Sequence, residues 1–317
     1  MHVALLLLIL AGTMSNPAAA ATHGTLAGLK GSQHSRSLQA IVDHAVQTTI
    51  AAFASATLDS SQIAVTLVDL SKPRLDWASV RGQTLIYPAS VVKLFYLVAA
   101  HRWMEDRRLE DTEELRRALR DMIVDSSNDA THYVVDVLTG TTSGPELPPD
   151  ELSAWAERRN AVNHYIESIG YLGINCNKKP WCEGPYGRES QAIKAFQPSR
   201  NMLTTEATAR VLTEIVLGRA VTPERSQQML ELLARDPSQP STDPDDQAHG
   251  FTAPALEPGM KLWSKAGWTG QVRHDAAYIE MPGGRRFVLV TFTEGHAGER
   301  AIIPSVAREV IAALKAR

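Results

Sequence analysis

Ser90 and Lys93 have the types and the spacing of a serine nucleophile and its base. They lie in the stretch PASVVK, which predicts a turn that becomes a helix, and residues three apart on a helix share one face. A serine hydroxyl is a weak nucleophile that needs a base, and a lysine becomes one when burial or neighbouring cations lower its pKa. Free N–H groups at a helix start can also bind an oxyanion. The pattern alone fits equally a helix-capping serine beside a surface lysine.

Two further motifs carry polar groups at positions where chemistry is possible. Ser126 and Asn128 form an S-x-N sequence between two predicted helices, and Lys265 and Gly267 form a K-x-G sequence at the end of a predicted strand. A glycine there lets a substrate approach the backbone, and the lysine adds a positive charge that can pair with an anion. Each motif also has an ordinary interpretation, as turn residues or as a strand lysine beside a turn.

Taken together and in this order, the three motifs resemble those of class A β-lactamases and penicillin-binding proteins. Residues 90–99 (SVVKLFYLVA) resemble the nucleophile helix of that family. Residues 122–138 resemble its S-D-N segment, with Ser127 where aspartate is usual. Residues 202–212 and 265–314 resemble the later helix, the final strands and the terminal helix. The resemblance therefore covers nearly all of the chain beyond its first residues.

The resemblance implies a role for each residue of the first two motifs. Ser90 would attack a carbonyl carbon and become acylated, and Lys93 would take or relay its proton. Ser126 would pass a proton to the leaving nitrogen. Asn128 would orient Lys93 and the amide of the substrate.

The resemblance also implies that the K-x-G strand binds the substrate. Lys265 would lie near the substrate carboxylate, and Gly267 would leave room for the substrate. The backbone N–H of Trp268 would form an oxyanion hole with that of the nucleophile. Arg273, eight positions after Lys265, is a candidate second carboxylate clamp, although an exposed strand arginine is an equally good interpretation.

The sequence departs from the family pattern in three places. Glu189 is the best candidate for the glutamate that activates the deacylating water, yet the Leu and Asn of E-x-x-L-N do not follow it, and a solvated loop carboxylate is the alternative. Ala266 replaces a Thr or Ser, a loss of about 1–2 kcal/mol of binding if that hydroxyl is engaged. Ser90 and Ser126 are 36 positions apart, fewer than is typical. These departures leave acylation intact and make the deacylation rate the open question.

The leading hypothesis is a serine hydrolase that cleaves an amide or ester bond, with β-lactam hydrolysis as its reaction and a β-lactam or a cell-wall peptide as its small-molecule substrate. The alternatives are a D-alanyl-D-alanine carboxypeptidase or esterase that binds penicillin, and a non-catalytic relative that binds cell-wall peptide. A binding module has no need for all five motif side chains. An unrelated exported α/β protein would require the order of helices and strands to be misread.

The elements around the motifs predict an α/β (α+β) fold, in which a five-stranded antiparallel sheet is flanked by terminal helices and interrupted by an all-helical domain. Period-2 runs and turn signals predict the five strands. The expected domains are 22–86 plus 222–317 for the sheet and 87–221 for the helices. The predicted strands are 63–70, 75–80, 260–266, 275–281 and 287–293, and the predicted terminal helices are 38–53 and 302–314.

The N-terminus predicts export. Val3–Gly12 is almost wholly aliphatic, and Ala18–Ala21 offers an A-x-A cleavage site, so residues 1–21 fit a signal peptide; a buried N-terminal helix is the alternative. We therefore expect a periplasmic or secreted protein whose mature chain has no membrane span. The 317 residues carry a formal net charge of -3 without a long basic run, which argues against nucleic acid as a partner.

Cys176 and Cys182 lie six positions apart in a polar loop. In an oxidising compartment they could close a small disulfide loop. The ten histidines show no metal-ligand spacing, so neither a metal nor an organic cofactor is implied. A monomer is expected.

Overall fold

The computed structural model describes residues 26–181 and 184–317. The predicted signal peptide, residues 1–21, and Cys182 lie outside these described residues. Export and the disulfide therefore remain predictions. Among the residues that are described, no helix is long and apolar enough to cross a membrane.

The described residues form one seven-stranded sheet with the order β1-β3-β2-β7-β6-β5-β4. All neighbouring strands are antiparallel except β1 and β3, which are parallel. The strands are β1 (Ser32–His34), β2 (Ile63–Asp69), β3 (Leu75–Val80), β4 (Ala234–Arg235), β5 (Lys261–Trp268), β6 (Val272–Glu280) and β7 (Arg286–Glu294).

The predicted fold class is confirmed, and the strand count is corrected from five to seven. The five predicted strands are the five central ones. The two additional strands are the outermost, β1 with three residues and β4 with two. Strands this short are too brief to show a period-2 alternation.

Ten α-helices lie in the described residues. They are α1 (Arg36–Ala52), α2 (Lys93–Glu105), α3 (Glu113–Ile123), α4 (Asn128–Thr139), α5 (Pro149–Arg159), α6 (Ala161–Ser168), α7 (Gly187–Ala195), α8 (Thr205–Val216), α9 (Pro223–Leu233) and α10 (Ile302–Lys315).

Helices cover both faces of the sheet. Every residue of β2 is buried, and its alternate side chains belong to two different cores. Val65 and Leu67 pack in the core with α1 and α10, the two terminal helices. Ala64 and Val68 pack in the larger core that includes α2, α3, α4 and α8. We call these two sides of the sheet the terminal-helix face and the helical-domain face.

The helix α9 joins the helical side of the molecule. Its residues Met229 and Leu233 lie in the same core as α2 and α3, although the predicted sheet domain (222–317) included this segment. The predicted domain boundaries remain a prediction.

Candidate active site

Ser90 lies in a tight turn that leads directly into an almost wholly buried helix. The turn Ala89–Val92 is a 3-10 helix, and α2 begins at Lys93. Ala89 has a φ of 45°, a left-handed conformation that is uncommon and strained for a non-glycine residue. Ser90 is half-buried, and the side chain of Lys93 is fully buried. Ser90 therefore lies half-buried just before the helix whose first residue is the buried Lys93.

The hydroxyl of Ser126 lies between two lysine ammonium groups. Its Oγ is 3.2 Å from Nζ of Lys93 and 3.0 Å from Nζ of Lys265. Lys93 also donates to the backbone oxygen of Ser126 at 2.6 Å and to Oδ1 of Asn128 at 2.9 Å. Four of the five motif side chains thus meet at one point, although they come from α2, the loop before α4, α4 and β5.

The loop that carries Ser126 is held in an unusual conformation. Ser126 has a φ of 55°, the second left-handed non-glycine residue at this site. Ser127 caps the N-terminus of α4, because its side chain accepts a hydrogen bond from the backbone N–H of Ala130. Backbone strain of this kind costs about 1–3 kcal/mol and persists where the surroundings impose it. Here it aims the Ser126 hydroxyl at both lysines.

Lys265 is fully buried in β5. Burial lowers its pKa well below the ordinary value, and the positive charges of Lys93 and Arg235 add to the effect. Its ammonium group also donates to the backbone oxygen of Ala266 at 2.7 Å. The lowered pKa makes the Lys265 ammonium group a better proton donor to the neighbouring hydroxyl than an ordinary lysine.

Gly267 brings β5 into contact with the turn that carries Ser90. A Cβ atom at this position would lie 2.8 Å from the backbone nitrogen of Ser90 and 2.7 Å from the backbone oxygen of Pro88. Any larger residue would push the strand away, so only glycine permits this approach. The backbone N–H of Ala266 points to the open edge of β5, and by the alternation of an antiparallel ladder that of Trp268 does too.

His274 anchors the nucleophile turn, and the sequence analysis missed it. Its Nδ1 accepts a hydrogen bond from the N–H of Thr293, which leaves the proton on Nε2, 2.9 Å from the backbone oxygen of Tyr87. Burial lowers the pKa of His274 to about 4, so the ring is neutral at pH 7. No local signal marks this residue, because its role depends on the pairing of β6 with β5.

Gln247 is a second residue that the sequence analysis missed. It belongs to the Pro/Asp/Ser-rich loop between β4 and β5, and its side-chain oxygen accepts hydrogen bonds from Lys265 and from the N–H of Ala266. A glutamine within a polar loop carries no signal of this kind in sequence.

Arg273 does not reach the cluster of motif side chains. Lys265 pairs with Ala276 on the helical-domain face, whereas Arg273 is an odd number of positions away and points to the terminal-helix face. Its guanidinium lies 2.7 Å from the carboxylate of Asp245 and 3.9 Å from the ring centre of Phe251. The geometry gives no support to a role as a carboxylate clamp, and the side chain is buried, so it is not an exposed strand arginine either.

Glu189 lies in a separate buried group of charges. Its Oε1 is 2.7 Å from Arg159, 2.9 Å from the Ser143 hydroxyl and 3.5 Å from Nζ of Lys179. The same two cations also contact Asp136. Asp136, Arg159, Lys179 and Glu189 are called the ionic cluster below.

The ionic cluster is displaced from the motif side chains along α4. Asp136 follows Asn128 by eight residues, about 12 Å of helix. The carboxylate of Glu189 is buried, so it is not the solvated loop group that was its alternative interpretation. Its expected part in deacylation remains a prediction.

Cys176 is fully buried, and burial raises the pKa of its thiol well above the ordinary value. Its predicted disulfide partner, Cys182, lies outside the residues that the structure describes. Within residues 26–181 and 184–317, no group of three or more His, Cys, Asp or Glu side chains is arranged to hold a metal ion.

Comparison with known proteins agrees with this geometry. Residues 45–314 match the model of the β-lactamase enzyme family, so the chain belongs to this family and is a serine hydrolase. A comparison with curated protein sequences gives no match.

Solved structures with the same fold include penicillin-reactive proteins and β-lactamases. A mutant of PBP-A in an acyl-enzyme complex with penicillin G has a TM-score of 0.64 at 18% identity, over 90% of this chain and 98% of that one. A β-lactamase from Sphaerobacter thermophilus has a TM-score of 0.61 at 20% identity, over 88% and 98%. One from Xanthomonas campestris has a TM-score of 0.63 at 16% identity, over 86% and 98%.

Proposed function

We propose that the chain is an exported serine hydrolase that forms an acyl-enzyme at Ser90 and hydrolyses β-lactams. One observation carries this proposal: the Ser126 hydroxyl lies between the ammonium groups of Lys93 and Lys265, beside the turn that bears Ser90. The proposal draws further support from PBP-A, whose structure is an acyl-enzyme with penicillin G. Export rests on the signal-like residues 1–21.

Acylation uses the groups at the site as a proton relay. Lys93 acts here in its neutral amine form, because an ammonium group cannot accept a proton. As Oγ of Ser90 bonds to the carbonyl carbon, the Ser90 proton passes to Nζ of Lys93. Ser126 gives its own proton to the leaving nitrogen and takes one from Lys93, while Lys265 stabilises the hydroxyl that is losing its proton. The backbone N–H groups of Ser90 and Trp268 bind the oxyanion. Asn128 holds Lys93 in position through the 2.9 Å hydrogen bond.

The second candidate is a penicillin-binding peptidase or esterase, in which the acyl-enzyme is long-lived. It is favoured by the contacts of Glu189, whose Oε1 is engaged by Arg159 and the Ser143 hydroxyl. A carboxylate oxygen used in this way has less capacity to accept a proton from water. The natural substrate of this alternative is a cell-wall peptide or another ester or amide.

Intact-protein mass spectrometry tests the proposal. The mature chain is mixed with a penicillin or a cephalosporin, and the mass is followed in time. We expect an adduct that forms and then disappears, whereas a persistent adduct would indicate the penicillin-binding alternative. Ser90→Ala should abolish the adduct, and Ser60→Ala, which alters an exposed serine, should leave it unchanged. An adduct that survives in Ser90→Ala would remove Ser90 as the nucleophile.

A further inference from the structure

The side-chain amide of Gln247 is buried beside the reactive lysine and is fully hydrogen-bonded. Its Oε1 accepts from Nζ of Lys265 and from the backbone N–H of Ala266, both at 2.9 Å. Its Nε2 donates to the backbone oxygens of Ile123 at 3.1 Å and Val124 at 2.9 Å. These four contacts use the whole donor and acceptor capacity of the amide in its observed orientation. They tie the open edge of β5 to the end of α3.

The oxygen of Gln247 occupies the position where an oxygen of the substrate would meet Lys265. A lysine ammonium group and a backbone N–H that converge on one point form a binding position for a carboxylate or carbonyl oxygen. The same Nζ lies 3.0 Å from the hydroxyl of Ser126. Since Ser126 serves the leaving group in the proposed reaction, this position belongs to the leaving-group side of the site.

The cavity next to Gln247 is lined by more acidic than basic side chains. A cavity of about 440 Å³ adjoins Gln247 and Trp268, and one arginine, Arg235, lines it. That arginine already donates to the backbone oxygens of Ile123 and Ser264. Carboxylates of the lining repel a further negative charge, except that Asp245 is paired with Arg273 and Arg300. The acidic residues of the lining are Asp125, Asp236, Asp243, Asp245 and Asp246.

We propose that Gln247 is a specificity-determining residue that disfavours substrates with a carboxylate on the leaving group and favours those whose leaving group is uncharged. A substrate carboxylate must displace the amide oxygen from Lys265 and Ala266, and the amide then loses two of its four hydrogen bonds. A leaving group without a carboxylate leaves this network intact. The inference rests on the proposed acylation of Ser90 and deepens it by naming the preferred class of leaving group.

The test compares two acylating compounds that differ in one group. Benzylpenicillin carries a carboxylate beside its β-lactam nitrogen, and its methyl ester masks that charge. Intact-mass kinetics give the second-order rate constant of adduct formation for each. We expect wild-type protein to react about tenfold faster with the ester, the factor that corresponds to one hydrogen bond to a charged group.

The variant Gln247→Ala should open the position to the substrate carboxylate. The ratio of its rate constant with benzylpenicillin to that with the methyl ester should rise about tenfold above the wild-type ratio. Gln271→Ala is the matched control, because Gln271 is an exposed glutamine near the end of the same strand pair. It should keep both wild-type rate constants.

The outcomes separate this inference from the proposed function. If neither compound forms an adduct, acylation at Ser90 fails and the inference falls with it. If both form adducts but wild type reacts with benzylpenicillin at least as fast as with the ester, the role of Gln247 alone is overturned. The role of Gln247 is also overturned if folded Gln247→Ala keeps the wild-type ratio of the two rate constants. If that variant does not fold, the rate constants of the wild-type protein with benzylpenicillin and with its methyl ester decide whether Gln247 has this role.

Discussion

Two buried groups of charged side chains in this protein differ in the signs of the charges that they bring together. At the candidate active site, Lys93 and Lys265 both approach the hydroxyl of Ser126. In the ionic cluster, two cations, Arg159 and Lys179, meet two carboxylates. The first arrangement places like charges near each other, and the second neutralises them.

The side chains of the candidate active site are arranged for proton transfer, whereas those of the ionic cluster are arranged to stabilise the fold. Like charges near each other in a buried site destabilise the charged forms, and the Lys93 charge contributes to the lowered pKa of Lys265. Such a shift prepares a proton transfer. Opposite charges in contact join α4, α5 and α7. Two experiments can break or sharpen this distinction, and a third tests the frame around the nucleophile turn.

Removal of one lysine from each group should have opposite consequences. Lys93→Met should slow adduct formation with a penicillin about a thousandfold. It should cost less stability than Lys179→Met, because the lost repulsion of Lys265 offsets part of the cost of the lost hydrogen bonds to Ser126 and Asn128. Lys179→Met should leave adduct formation per folded molecule unchanged and lower the free energy of unfolding by about 3 kcal/mol, because it leaves buried carboxylates with less compensation. Intact-mass kinetics and urea unfolding measure the two effects. Wild-type kinetics in Lys93→Met would contradict the distinction.

Glu189→Gln tests whether Glu189 stabilises the fold or takes part in deacylation. From its contacts with Arg159 and Lys179 we expect a loss of about 2–3 kcal/mol in the free energy of unfolding and an unchanged rate of adduct loss. Glu167→Gln, at an exposed glutamate, should change neither quantity. A rate of adduct loss that falls tenfold, about 1.4 kcal/mol on the barrier, would instead assign Glu189 to deacylation, as the family resemblance implies.

Acid should weaken the frame that holds the nucleophile turn. Burial lowers the pKa of His274, and that of His101 in α2, to about 4, so below pH 6.5 the unfolded chain binds protons that the folded chain does not. The stability that each histidine contributes is complete above pH 6.5 and is lost as the pH falls toward 4, at up to about 1.4 kcal/mol per pH unit for each.

The variant His274→Gln should reduce the dependence of the free energy of unfolding on pH by the contribution of one histidine. Urea unfolding between pH 4.5 and 7 measures the slope, and His44→Gln, at an exposed histidine, serves as the control. An equal slope in His274→Gln and wild type would show that His274 is not protonated on unfolding.

The three motifs, the five central strands and most helices could be predicted from the sequence, because each depends on residues close together in the chain. The 3.6-residue and two-residue periods mark buried faces, and glycine and proline mark turns. Ser90 and Lys93 lie on one helical turn, so their proximity follows from local geometry alone. The two short edge strands have too few residues to show such a period.

The remainder of the site depended on tertiary structure, because it involves strand register and contacts between distant residues. A shift of one position along β6 moves a side chain to the other face of the sheet, and this turns His274 toward the nucleophile turn and Arg273 away from it. Gln247 reaches Lys265 from a loop whose composition predicts only a turn. Glu189 meets Arg159 and Lys179 through packing that no sequence period records. The partners of these charged and hydrogen-bonding groups come from residues that are distant in the sequence. The local pattern of residues carries no information about which distant residues come into contact.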